Sequence, residues 1–107
     1  MRLQRSKPMG SWYEAEIHRL KGELLLRKTP PGEQEADACF RKSIEVARRQ
    51  SAKLLELRAT VSLGRVLKKQ GKKEEAREIL ANLYGWFTEG FDTADLKEAK
   101  ELLQQLP

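Results

Sequence analysis

The 107-residue sequence predicts an all-α fold, an array of two helical hairpins closed by a C-terminal capping helix. Three observations carry that expectation. Leu20-Lys21-Gly22 followed by Glu35-Ala36-Asp37-Ala38-Cys39-Phe40 is echoed by Ser62-Leu63-Gly64 followed by Glu75-Ala76-Arg77-Glu78-Ile79-Leu80, so the chain repeats itself at long range. Apolar residues recur at helical spacing, and Gly and Pro are confined to a few junctions. Charged residues make up 35% of the chain against 39% hydrophobic and 7% aromatic, the balance of helices with salt-bridged outer faces.

Residues 1–10 mix three basic residues with Pro8 and Gly10 and read as a loose lead-in to one helical-repeat domain over 11–107. Ser11 and Glu14 form a capping box for a first helix over 11–28, with Tyr13, Ile17, Leu20 and Leu24 as its apolar stripe. Thr29-Pro30-Pro31-Gly32 ends it. A second helix over 33–50 places Ala36, Phe40, Ile44 and Ala47 on one face and Cys39, Ser43 and Val46 beside them, two stripes that imply contact on two sides. This completes a hairpin over 11–50.

Ser51 is a plausible N-cap for a third helix, although one continuous helix over 33–70 is the alternative. The third helix, over 52–70, carries Leu54, Leu57, Val61, Leu63, Val66 and Leu67 and stops at Gly71. The fourth holds Ala76, Ile79, Leu80, Leu83 and Phe87, closing a second hairpin over 52–88. Trp86, Phe87 and Phe91 surround a joint at 85–92 and are expected to wedge the last helix into place. Asp92 or Thr93 caps that helix, which spans 93–106 through Leu96, Ala99, Leu102, Leu103 and Leu106.

The net charge of +5 invites a nucleic-acid reading, but Lys and Arg are interleaved with Glu, which produces little net field. The Lys68-Lys69 and Lys72-Lys73 cluster keeps nucleic-acid binding as a second choice, without a helix-turn-helix signature. Cys39 is the only cysteine and reads as a small buried hydrophobe; His18 is the only histidine and reads as a packing residue. No metal site, cofactor motif, membrane span or secretory signal is expected, and the cytoplasm is the expected location. There is no Gly-rich phosphate loop and no nucleophile–base arrangement, so no catalytic residue is assigned.

The spacing Gly64, Ala76, Leu80, Leu83 resembles the tetratricopeptide pattern, with Leu63-Gly64 at its Leu-Gly pair. In the first hairpin Gly22, Ala36 and Phe40 follow the same pattern with a turn two residues longer, while His18 and Thr60 replace the family's usual Trp. The pattern implies close backbone approach at Gly64, and a milder version of the same crossing at Gly22. Trp12-Tyr13-Glu14-Ala15-Glu16, Arg19-Leu20-Lys21-Gly22-Glu23, Ala38-Cys39-Phe40-Arg41, Ala47-Arg48-Arg49-Gln50, Glu56-Leu57-Arg58-Ala59 and Tyr84-Gly85-Trp86-Phe87-Thr88-Glu89-Gly90-Phe91 together look like the C-terminal helical-repeat tail of large bacterial signalling ATPases. Some of these carry a nucleotide-cyclase-like domain. Such tails are interaction or sensor regions, and the resemblance implies a non-enzymatic protein-interaction scaffold here.

The tetratricopeptide resemblance also implies an inner groove. Its offsets select Glu16, Arg19, Glu23, Leu26 and Arg27 from the first hairpin, and Arg58, Val61, Arg65, Lys68 and Lys69 from the second. The second set is basic and suited to an acidic peptide. Two hairpins fall short of the roughly three repeats that stabilise such arrays, so the first is expected to expose an apolar edge that pairs with a partner or with itself as a homodimer.

Overall fold

The structure, a computed structural model, describes residues 13–87 and 94–106. These residues form five helices: α1 Glu14–Leu26, α2 Glu33–Arg49, α3 Lys53–Lys69, α4 Lys73–Tyr84 and α5 Ala94–Gln104. Successive helices are antiparallel hairpin partners. The side-chain bonds from α3 to α1 and to α5 set those three helices side by side as one layer, with α2 and α4 as the other. Ser11, Asp92 and Thr93 lie outside the described residues, so the caps assigned to them are too; α1 begins at Glu14 with no side-chain cap at Tyr13.

Each boundary has a local cause. After α1, Gly32 donates its amide to the Leu25 carbonyl at 2.9 Å, folding the Thr29–Gly32 turn back onto the helix end. The break between α2 and α3 is real, and the continuous helix over 33–70 does not form. Ser51 adopts φ 55, the left-handed conformation, while Ser51 N–H donates to Arg48 and Ala52 N–H donates to Ala47. This is a Schellman ending, repeated after α3 with Gly71 at φ 81 and Lys72 N–H donating to Leu67. Ser51 thus ends α2 rather than capping α3, whose N-cap is Ala52. Acidic residues in the first turns and basic residues in the last turns of α2 and α3 suit the helix dipoles.

The core runs the length of the array. Ala36, Phe40 and Ile44 of α2, Leu57, Leu63, Val66 and Leu67 of α3, and Ala76 and Leu80 of α4 are buried in one cluster with Leu96, Ala99, Leu102 and Leu106. α3 is the most enclosed helix, buried on all sides but one. Its small polar residues use that enclosure: Ser62 donates to Glu23 of α1 at 2.8 Å, as Ser43 of α2 donates to the Ala15 carbonyl at 2.6 Å. At the α2–α3 corner the nearly buried Glu56 carboxylate accepts a bond from Arg48 at 2.7 Å.

Several packing expectations need correction. Leu54 is exposed rather than buried, and Cys39 is only half-buried. Trp86 does not seat α5: its ring is 54% exposed, edge-on to Phe87 at 5.1 Å, with Lys53 Nζ 5.3 Å from the ring centre. Phe87 instead packs against the core, and Phe91 lies outside the described residues.

The two glycines exchange ranks. A Cβ at Gly22 would stand 2.6 Å from the Phe40 ring, whereas at Gly64 it would meet only Leu102 Cδ2 at 3.1 Å. Leu80, which stands where Phe40 stands in the first hairpin, is too short to reach Gly64. The close approach at Gly64 therefore comes from α5 and not from the hairpin partner α4.

Candidate protein-interaction surfaces

The layer of α1, α3 and α5 holds most of the groove residues chosen from the sequence, and α5 lies among them. Helix periodicity puts Arg58, Arg65 and Lys68 of α3 along one edge, and Asp95 and Glu98 of α5, with Gln105 just past its end, along the facing edge. Arg58 donates from Nε and Nη2 to the two Asp95 oxygens at 3.2 and 2.9 Å, and from Nη1 to Glu16 of α1 at 2.8 Å. Arg65 donates to Glu98 at 3.0 Å and Lys68 to Gln105 at 2.7 Å. Arg19, Arg58, Val61, Ser62, Arg65, Asp95 and Glu98 surround a shallow cavity of about 260 Å³.

The electrostatics are balanced inside the chain. Arg19 donates to both Glu16 oxygens, at 2.9 and 3.1 Å, and stands 3.8 Å from Glu23. Burial of the Glu16 carboxyl favours its neutral form, but the hydrogen bonds from Arg19 and Arg58 outweigh that and hold its pKa below the usual carboxylate range. The Asp95 fork, opposed by burial and reinforced by Glu16, raises the Arg58 pKa further. A fork shared between two carboxylates on two helices fixes α1, α3 and α5 in register.

Arg19, Glu23, Arg58, Arg65 and Lys68 thus converge on one face, with Leu26 half-buried near it. Arg27 and Lys69 are exposed at helix ends, at the margin of that face, and Val61 is buried beneath it. Asp95, Glu98 and Gln105 were not among the residues the sequence singled out. The signal of Asp95 and Glu98 was charge complementary to Arg58 and Arg65 on a helix with an apolar opposite face, readable only once α5 is known to lie beside α3; neutral Gln105 carried none.

The second surface is the outer face of α1. Ala15 and Gly22 point into the hairpin and are buried, while on the opposite side Ile17, Leu20 and Leu24 are 54, 51 and 65% exposed. Tyr13, at the start of the helix, is 47% exposed on the same stripe. Exposed side chains at steps of four, three and four residues form a continuous apolar strip along a helix. Glu14 and Lys21 border the strip on one flank, and Glu16 and Glu23, already bonded to Arg19, Arg58 and Ser62, on the other.

Among the described residues no group of three or more His, Cys, Asp or Glu could hold a metal ion, and no helix is long and apolar enough to cross a membrane. His18 stands 3.9 Å from Glu14, one helical turn away. Comparison with protein-family models, with curated proteins and with solved structures found no match to this chain.

Proposed function

We propose that this chain is a non-enzymatic protein-interaction module whose partner docks on the outer face of α1. The observation that carries the reading is the strip of Ile17, Leu20 and Leu24, with Tyr13 at its end, facing away from a core that the rest of the array fills well. A contiguous apolar patch with polar margins marks a contact site. An interaction or sensor role agrees with the resemblance to the helical-repeat tails of signalling ATPases. The tetratricopeptide arrangement itself would place a neighbouring helix against this face.

The basic groove is the weaker candidate. An acidic peptide there would compete with Asp95 and Glu98, which are tethered to the same chain and already meet Arg58 and Arg65. Binding of nucleic acid would draw on Lys69, Lys72 and Lys73, which are exposed but clustered at one helix junction.

Photo-crosslinking in cells tests the reading. A crosslinking residue at Leu20 or Leu24 is expected to capture another polypeptide, while the same residue at exposed Lys100 on α5 captures little. Equal or absent capture at Leu20 relative to Lys100 would remove the α1 face as the docking surface.

A further inference from the structure

We infer that the occupant of the α1 face is a second copy of this chain, paired through two antiparallel α1 helices related by a twofold axis. This rests on the reading of that face as a docking surface and names its partner. The strip Tyr13, Ile17, Leu20, Leu24 has steps of four, three and four residues, a spacing that reads the same in either direction. A twofold axis passing between residues 18 and 19 sets Ile17 against the partner's Leu20, and Leu24 against the partner's Tyr13. Each contact then occurs twice, as an isologous interface requires.

The flanking charges support the antiparallel register. Glu14 and Lys21 border the strip on the same side and on opposite sides of the proposed axis, so Glu14 of each copy lies on the flank of the partner's Lys21, offset by about 3 Å along the helix. The opposite flank carries Glu16 and Glu23, which would approach the partner's Glu23 and Glu16. Their charge is taken up within each chain by Arg19 and Arg58, and Glu23 also accepts from Ser62, so this flank adds little repulsion. A parallel pairing would instead set Lys21 against the partner's Glu16, whose oxygens are already bonded to Arg19 and Arg58.

The face is short. The 13 residues of α1 span about 20 Å. A contact of that length falls below the ~1,200 Å² of stable complexes, so the dissociation constant is expected on the order of 10–100 μM.

Sedimentation of the full chain over a concentration series is the test. The mass is expected to rise from 12.3 kDa toward twice that value. K21E alone and E14K alone place like charges opposite each other and are expected to weaken the dimer about tenfold, a loss on the scale of a close charge pair. The double variant E14K/K21E restores the attraction in the antiparallel register and is expected to recover the original affinity. Both substitutions lie on side chains that reach solvent, Lys21 exposed and Glu14 about half so, and unchanged circular dichroism and melting confirm that the monomer is intact.

A dimer indifferent to the single charge reversals, or one the double variant fails to recover, overturns the antiparallel pairing. A monomer at every concentration overturns the second copy as occupant. If Leu20 then crosslinks another protein in cells, the docking reading survives with a different partner. If it crosslinks only to residues 1–12, the chain covers its own α1 face and both readings fall.

Discussion

Gly22 and Gly64 hold equivalent places in the two hairpins, yet they meet different neighbours. The Phe40 ring lies so close to Gly22 that any side chain there must displace a fully buried aromatic group. Gly22→Ala is therefore expected to cost about 1–3 kcal/mol, the usual scale of overpacking. Gly64→Ala pushes only against the far end of Leu102. The gain of about 1 kcal/mol in helix propensity offsets that push, leaving a net change near zero. Thermal melts of the two variants give the comparison, and Phe40→Leu adds a second reading: if the ring is the obstacle, the double variant with Gly22→Ala loses less than the sum of the singles. Additive losses would place the strain elsewhere. The sequence spacing identified Gly22 as a close approach to its hairpin partner, but at Gly64 the neighbour is Leu102 of α5 and not the hairpin partner that the spacing implied. It could not rank them, because the rank depends on Phe against Leu at the facing position and on a helix about 38 residues further along.

At the scale of elements, the helices of the two hairpins were legible because each carries its own periodicity and its own stop. Pro30, Pro31 and Gly71 end α1 and α3 through backbone chemistry that any reader of the sequence can apply. The α2–α3 break was less visible, since Ser51 must enter the left-handed region that glycine adopts more readily. That α5 closes the array was legible, but its register against α3 was not. What fixes it is a set of pairings across more than 30 residues, Arg58 with Asp95, Arg65 with Glu98 and Lys68 with Gln105, and pairing at that range leaves no periodic trace. Arg58 is the pivot of the set because its planar fork binds both Asp95 oxygens. Arg58→Met keeps the apolar stem and removes the fork. It is expected to weaken α5 docking by about 1 kcal/mol, since the pair is partly solvated, and to speed amide exchange over 94–104 about fivefold. Exchange within the α2–α3 core should not change; a uniform increase across all five helices would show that Arg58 supports the whole array instead.

For the whole molecule, the layer of α1, α3 and α5 is stitched by charge while the interface between layers is apolar, and the two respond differently to pH. Glu16 lies where α1, α3 and the Arg58 fork meet, accepting bonds from Arg19 and Arg58. Those bonds hold its folded-state pKa below the ordinary value of 4.5, so the unfolded chain takes up the proton more readily than the folded one. The resulting stabilisation is fully present above that ordinary value and is lost as pH falls through the depressed folded value. Arg58, whose pKa its carboxylate partners raise, stays charged throughout this range, so the carboxylate is the titrating group of that contact. Glu16→Gln keeps the shape and an acceptor oxygen but cannot titrate. The variant is expected to be less stable than the parent at pH 7, and denaturant melts repeated at falling pH should bring the two together once Glu16 is protonated. A stability gap of constant size from pH 7 down to pH 2 would mean that Glu16 contributes by packing and neutral hydrogen bonding rather than by its charge.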